Sequence, residues 1–206
     1  MKKPLITLLA LAVAGVAAPA FAQSKGDYTV GIGVHQVNPK SDNGKIANGA
    51  LAVEVDSDVK PTVTFEYFLA DNLGLEVIAA LPFKHDIAIK GLGTVGSTKQ
   101  LPPTVSLQYH FNSKGKVSPF VGAGVNYTTF FSEDTRGALQ GSDLKLGNSW
   151  GLAAHAGIDF AVSEKSSIRI DARYIDIDTD VKLDRAKLGT VNIDPVVYGA
   201  AYVLKF

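Results

Sequence analysis

Apolar side chains recur at every second position in eight separate stretches of this chain, and a period of two confines them to paired strands rather than helices. The stretches are Tyr28–Pro39, Pro61–Ala70, Leu73–Leu81, Thr104–Phe111, Val117–Phe131, Ser149–Val162, Ser167–Ile177 and Val196–Phe206. In the second, Val63, Phe65, Tyr67 and Leu69 share one face while Thr62, Thr64 and Glu66 share the other. In the last, Val196, Tyr198, Ala200, Tyr202, Leu204 and Phe206 oppose Gly199, Ala201 and Lys205. No helical period of comparable length is present. The pattern predicts an all-β domain of eight antiparallel strands.

The links between the stretches alternate in length. Short ones fall at Asp71–Asn72, Asn112–Lys116 and Ser163–Ser166, long ones at about 40–60, 82–101, 132–148 and 178–193. Short periplasmic turns at one end and long extracellular loops at the other mark a transmembrane β-barrel. A soluble lipocalin-like barrel shares the length and the alternation but differs in which face is apolar. Here the polar face is rich in Gly, Ser and Thr, which suits the interior of an eight-stranded barrel, just wide enough for side chains. Aromatics near strand ends of the apolar face, among them Tyr67, Tyr109, Phe111, Phe131, Phe160, Tyr202 and Phe206, stand where interfacial girdles are built. The membrane barrel is the better reading, and a lipocalin-like ligand-binding barrel stands as its alternative. A spanning helix in the mature chain is excluded, because the longest charge-free run, Val117 to Ser132, is interrupted by Pro119, Gly122 and Gly124.

The first 22 residues read as a cleaved export signal. Lys2 and Lys3 form a basic start, Leu5 to Ala18 is almost wholly apolar, and Ala20-Phe21-Ala22 gives the small-x-small site before the polar Gln23-Ser24-Lys25. A single barrel domain over 23–206 follows. The chain has 20 basic and 20 acidic residues and no Cys. Without a basic excess, nucleic acid is not an expected partner. Without Cys, thiolate chemistry and Cys-ligated metals are excluded. No cofactor and no metal site are expected. At the other end, Phe206 closes an alternating aromatic stripe and resembles the signal read by the outer-membrane barrel assembly machinery.

Several segments carry a more specific likeness: Leu69 to Glu76, Leu101-Pro102-Pro103-Thr104, Pro119 to Thr128, Ser149-Trp150-Gly151, Arg173 to Thr179, and Ile193-Asp194-Pro195. In order, and over essentially the whole mature chain, they resemble the OmpW family of small outer-membrane barrels. The resemblance implies a barrel in the outer membrane of a Gram-negative bacterium that admits small hydrophobic molecules, with a lateral opening into the bilayer. It also implies a hydrophobic constriction at Ile78 and position 173, where Arg173 departs from an aromatic.

Register arithmetic adds a mechanism independent of the family. Glu66 and Glu76 each lie about five residues from the centre of their hairpin, Asp159 and Arg169 about five from theirs, and His110 about four from its own. All point inward by parity. They are expected to form one polar layer near the periplasmic end, with Arg169 and Arg173 neutralising the acids, since like charges opposite one another repel and buried charges need partners. This layer would plug the lumen. Ile78, Phe130 and Ile175, with Val37, would line an apolar upper lumen. Pro102, Pro103 and Pro195 lie at strand edges, where a residue without an N–H ends the ladder, and are candidates for a lateral exit. Expected partners are outer-membrane lipid, lipopolysaccharide and small apolar solutes. The alternative function is a structural or adhesion barrel, a surface or phage receptor working through its loops.

Other motifs fail. Gly91 to Gly96 spells G-x-G-x-x-G in an outer loop with no helix behind it. Asp176, Asp178 and Asp180 suggest a calcium loop, but Val181 replaces the required Gly and Lys187 the closing Glu. Ser106 and His110 lie too far apart along one inward-facing stretch to form a nucleophile and base. No enzyme is expected.

Overall fold

The structure is a computed structural model and describes residues 22–206, so the predicted leader lies, Ala22 apart, outside the described residues. The strands are, in chain order, β1 (Tyr28–Asn38), β2 (Lys45–Ile46), β3 (Leu51–Val55), β4 (Asp58–Ala70) and β5 (Leu73–Ala80). Then come β6 (Phe83–Ile89), β7 (Gly93–Leu101), β8 (Thr104–His110), β9 (Val117–Thr135) and β10 (Leu144–Leu146). The chain ends with β11 (Ser149–Ser163), β12 (Ser166–Ile175), β13 (Asp178–Leu183), β14 (Ala186–Asn192) and β15 (Val196–Lys205). Eight of them, β11-β12-β15-β1-β4-β5-β8-β9, form an antiparallel ring that β9 closes by pairing with β11. These are the eight alternating stretches.

The alternation sorts side chains by solvent. Outward-facing Ile32, Val63, Val125, Ile170, Trp150 and Leu152 are exposed, the last two by 74% and 70%, and in a membrane this surface meets lipid. At the end bearing the short turns Tyr28 stacks on Phe206 at 5.3 Å, and Tyr109 meets Phe111 edge-on at 5.2 Å. At the other end Tyr127 packs against Trp150 at 4.7 Å. Two aromatic girdles therefore bracket the apolar band.

The long links are more ordered than the sequence suggests. β6 and β7 form a hairpin that pairs with β3 on one side and the outer half of β9 on the other. A separate three-stranded sheet, β10-β13-β14, stands across from it. The glycine-rich 91–96 segment spans the β6–β7 turn and the start of β7, where Gly91 and Gly93 take φ of +88° and +75°. The seventh alternating stretch, expected over Ser167–Ile177, forms β12, which stops at Ile175. The amides of Ile175 and Asp176 bond the carbonyls of Pro195 and Leu152, and the chain then bends into β13.

Small inward residues set the bore. A Cβ placed on Gly124 would lie 2.0 Å from the Val105 carbonyl oxygen, in backbone that has no freedom to retreat. Gly124→Val is therefore expected to destabilise the barrel by about 1–3 kcal/mol. Urea titration in lipid vesicles reads this directly, and an unchanged midpoint would show that the wall can widen.

Candidate functional site: a charged layer beneath two apolar cavities

Glu66 and Glu76 are direct cross-strand partners on β4 and β5, both pointing inward and both buried. Two adjacent carboxylates in this position repel. The Arg169 guanidinium reaches across from β12 and donates from Nη1 to Glu76 at 2.8 Å and from Nη2 to Glu66 at 3.2 Å. Its Nε and Nη2 also grip Asp159, its own partner in the β11–β12 ladder, at 2.8 and 2.9 Å. Phe120 lies under the cation, 4.5 Å from ring centroid to guanidinium carbon. Arg173 donates from Nη1 to Glu76 at 2.7 Å and from Nε to Asp171 at 2.8 Å. His110 bonds Glu66 at 2.9 Å. Glu66, Glu76, His110, Asp159, Arg169 and Arg173 are thus linked in one group of hydrogen bonds.

Five further members, Gln108, His155, His35, Thr62 and Asp171, carry no mark in the sequence beyond inward parity. Gln108 donates to Glu66 at 3.0 Å and accepts from His155 Nε2 at 2.8 Å. His35 spans Thr62 Oγ1 at 2.6 Å and Asp171 at 2.9 Å. Parity shows that these side chains enter the lumen but not which ones meet across it. On the side of the short turns, Phe68 and Phe120 are buried against His110 at ring distances of 5.3 and 5.5 Å.

Toward the other end, apolar residues replace the charges. Ile78, Phe130 and Ile175 are buried, as is Val37. Phe130 belongs to a cavity of about 640 Å³, counting its open mouth, lined by Ile46, Val53, Ile87, Leu144, Val181 and Val191 among others. Most of this lining comes from β2, β3, β6, β10, β13 and β14, the segments that read as loops. A second cavity of about 330 Å³ lies against Ile78, Phe83, Ile175 and Val197, and it also touches Ala79, Ala80, Pro102 and Arg173.

The wall beside this second cavity is interrupted. β5 pairs with β8 from Leu73↔Tyr109 to Ile78↔Thr104, and pairing resumes only at Phe83↔Gln100 between β6 and β7. Between them, residues 79–82 face 101–103 with no ladder pair. Pro82, Pro102 and Pro103 supply no N–H there. Pro82 escapes a reading that places it in a loop. At Pro195, in contrast, the wall is continuous: its carbonyl accepts from Ile175, and β15 pairs with both β1 and β12 from Val196 onward. Of the candidate exits, Pro195 is therefore corrected to ordinary strand-start punctuation.

The acidic rim also differs from expectation. Asp176 and Asp178 converge with Asp194 rather than Asp180, their carboxylate oxygens lying within 4.8 Å. Asp180 is engaged by Lys187 and Thr190, each at 2.8 Å. Asp194 accepts from Lys40 at 2.7 Å and from the Ile177 amide at 3.1 Å, so protein donors already serve this cluster.

This geometry, with its lipid-facing stripe, girdles and filled lumen, defines an outer-membrane β-barrel of a Gram-negative bacterium. The OmpW family model matches residues 24–206, and the chain belongs to that family. Outer membrane protein W of Vibrio cholerae is 38% identical, over 99% of this chain and all of the relative. The crystal structure of the outer membrane protein OprG from Pseudomonas aeruginosa superposes with a TM-score of 0.80 at 34% identity, covering 91% of this chain and 99% of that one. A Pseudomonas aeruginosa protein named for a dibenzothiophene metabolism operon is 29% identical, over 80% of this chain and 79% of its own.

Two predictions follow from burial. Arg169→Met leaves three buried carboxylates short of a cation and is expected to lower unfolding stability in vesicles by about 3–5 kcal/mol. Adding Glu66→Gln should recover part of that loss, whereas equal stabilities in a denaturant series would mean that water solvates the layer. At the outer cavity, burial pushes the His85 imidazole below its ordinary value, against the opposing pull of the Asp56 carbonyl. A group depressed in the folded state supports it fully above the free-imidazole value of about 6.5 and withdraws that support as pH falls. Amide exchange in β6 and β7, corrected for intrinsic rates, should therefore quicken at pH 5, and His85→Gln should abolish the change.

Proposed function

We propose that the protein admits small hydrophobic molecules across the outer leaflet, taking them in at the apolar outer cavity and releasing them sideways into the bilayer. The observation that carries this reading is the unpaired stretch between residues 79–82 and 101–103, which adjoins the second cavity. Beneath it the lumen is packed with paired charges, so an apolar solute moving toward the periplasm would have to strip buried ion pairs of their partners. That step is far more costly than entering hydrocarbon. The charged layer acts as a floor, Ile78, Phe130 and Ile175 line the route above it, and Pro102 and Pro103, with Pro82, hold the side open. The name of the dibenzothiophene-operon relative is in keeping with an apolar solute. The activity is passage rather than catalysis, and no cofactor takes part in it. Residues 1–22 serve as the export leader, and Phe206, exposed on the lipid-facing stripe, is the residue offered to the assembly machinery.

The absence of native Cys makes a direct test available. Ala80→Cys with Pro102→Cys places a thiol on each side of the opening, both at the second cavity. Cells carrying this variant should take up an apolar solute faster than cells without the protein when it is reduced, and no faster once mass spectrometry shows the disulfide formed. A polar solute should be unaffected throughout. Undiminished apolar uptake by the oxidised protein would rule out this exit. Equal uptake with and without the wild-type protein would point instead to a surface-binding barrel.

A further inference from the structure

Where β6 and β7 resume the wall beyond the unpaired stretch, its outward face carries two cations side by side. Lys84 and Lys99 are direct partners in the β6–β7 ladder, one step past Phe83↔Gln100. Their neighbours along each strand point the other way. Phe83 and His85 line the two cavities, Thr98 lines the outer one, and Gln100 is buried against His85. Both lysines therefore face outward, and both are exposed. Like charges directly opposite one another on neighbouring strands destabilise a sheet.

Among the described residues neither ammonium meets an acid. Nearby carboxylates are engaged elsewhere: Asp58 accepts from Lys60 Nζ and from the Lys84 amide, each at 2.7 Å, and Asp86 pairs with Arg136. Asp134 stands opposite Ser97 and ion-pairs with neither lysine. A second row of lysines, Lys145, Lys182 and Lys187 across β10, β13 and β14, is built differently. There Lys145 meets Glu133 and Asp143 at 3.6 and 3.7 Å, and Lys187 meets Asp180 at 2.8 Å. That row is balanced from within the protein, and the Lys84–Lys99 pair is not.

Height and flanks indicate what meets the pair. On β9, Val121 pairs with Tyr109 of the girdle at the short-turn end, and Phe131, ten residues further on, pairs with Lys99. At strand rise and a tilt of about 40° that distance is about 25 Å along the barrel axis, the height of the apolar band. The two ammoniums thus stand at its outer edge, among lipid head groups. Phe131 and exposed Val59, next to the Asp58 that holds the Lys84 amide, flank them with apolar surface.

We propose that Lys84 and Lys99 together bind the phosphate monoester of an outer-leaflet lipid, the phosphorylated sugar head of lipopolysaccharide, and hold it against the outer lip of the unpaired stretch. A phosphate monoester carries about −1.5 to −2 charge at pH 7 and balances both ammoniums, whereas the single charge of a phosphodiester leaves one of them opposed. The apolar flanks favour a phosphate that arrives on acyl chains over a free one. The site lies on the outer surface, so it stands whether or not apolar solutes pass through the cavities.

Native mass spectrometry of the folded protein in detergent tests this with bis-phosphorylated lipid A, the same lipid stripped of phosphate, phosphatidylglycerol and inorganic phosphate. Phosphorylated lipid A should bind about tenfold more tightly than the stripped form, as charge-assisted hydrogen bonds provide, and more tightly than phosphatidylglycerol. Lys84→Gln with Lys99→Gln should erase that preference. Lys90→Gln with Lys182→Gln removes the same charge from exposed positions elsewhere at the outer end and should keep it. Equal affinity for the two forms of lipid A, or equal loss in the two double variants, would overturn the proposal. Phosphatidylglycerol bound as tightly as lipid A would overturn the monoester assignment, and retention of inorganic phosphate alone would overturn the lipid assignment. Stability gives a separate reading. Without lipid A, Lys84→Gln relieves the opposed charges and should unfold at a urea concentration no lower than the wild type. A lower midpoint would show that the lysines are already balanced within the protein, and would also overturn the proposal.

Discussion

An eight-stranded barrel encloses room for side chains and little for water, so every charge on its inner face must find its partner within the wall. Arg169 meets that requirement here. One guanidinium reconciles the directly opposed Glu66 and Glu76 and closes on Asp159 as well, while Arg173 carries the same pairing on to Asp171. The glycines opposite follow from the same crowding, because inward groups of this size leave no space for a Cβ at Gly122, which would meet His155, or at Gly157, which would meet Phe120. The lipid-facing stripe is the complement of this arrangement. Polar groups that pair inside the ring leave the outside free to be uniformly apolar.

The barrel was legible in the sequence because a membrane enforces its pattern without exception along each strand. A one-residue slip at Val63 or Leu152 would bring a lumen residue to face hydrocarbon. For the charged residues the sequence offered a related argument: Glu66, Glu76, His110, Asp159 and Arg169 stand at similar distances from short turns, and register carries that distance across the sheet. The outer half was not. In β7 the sequence Gly-Thr-Val-Gly-Ser-Thr-Lys-Gln-Leu offers no sustained apolar face, since Val95 to Thr98 are buried in succession and small polar residues fill most of those places. The outer cavity lining is assembled from one or two residues of each such strand, and no local window contains it. Pro195 shows the reverse limit. A proline predicts a missing N–H, but its carbonyl still pairs, and that depends on what lies beside it.

The charged floor, the apolar outer chamber and the unpaired stretch share a single polarity along the barrel axis. Charge pairing is complete where the turns are short. It frays at Arg173, the last cation before the apolar zone, and gives way to Ile175 and Phe130 where the loops are long. The interruption in the wall lies at that transition. Its prolines leave the strands unpaired there, and β6 and β7 pair again beyond it, so the wall is held on both sides of the unpaired stretch.

The length of β9 carries a consequence for the proposed route. Its 19 residues extend about 60 Å at strand rise, well beyond the ~30 Å hydrocarbon core even with tilt. Its outer half, paired with β7 from Thr129 to Thr135, carries the wall of the chamber beyond the end of β8, whose ladder stops at Thr104 opposite Asn126. On the proposed route, a chamber whose mouth stands beyond the hydrocarbon core and whose exit lies within it would act as a short bypass, set by how far one strand continues past its neighbours.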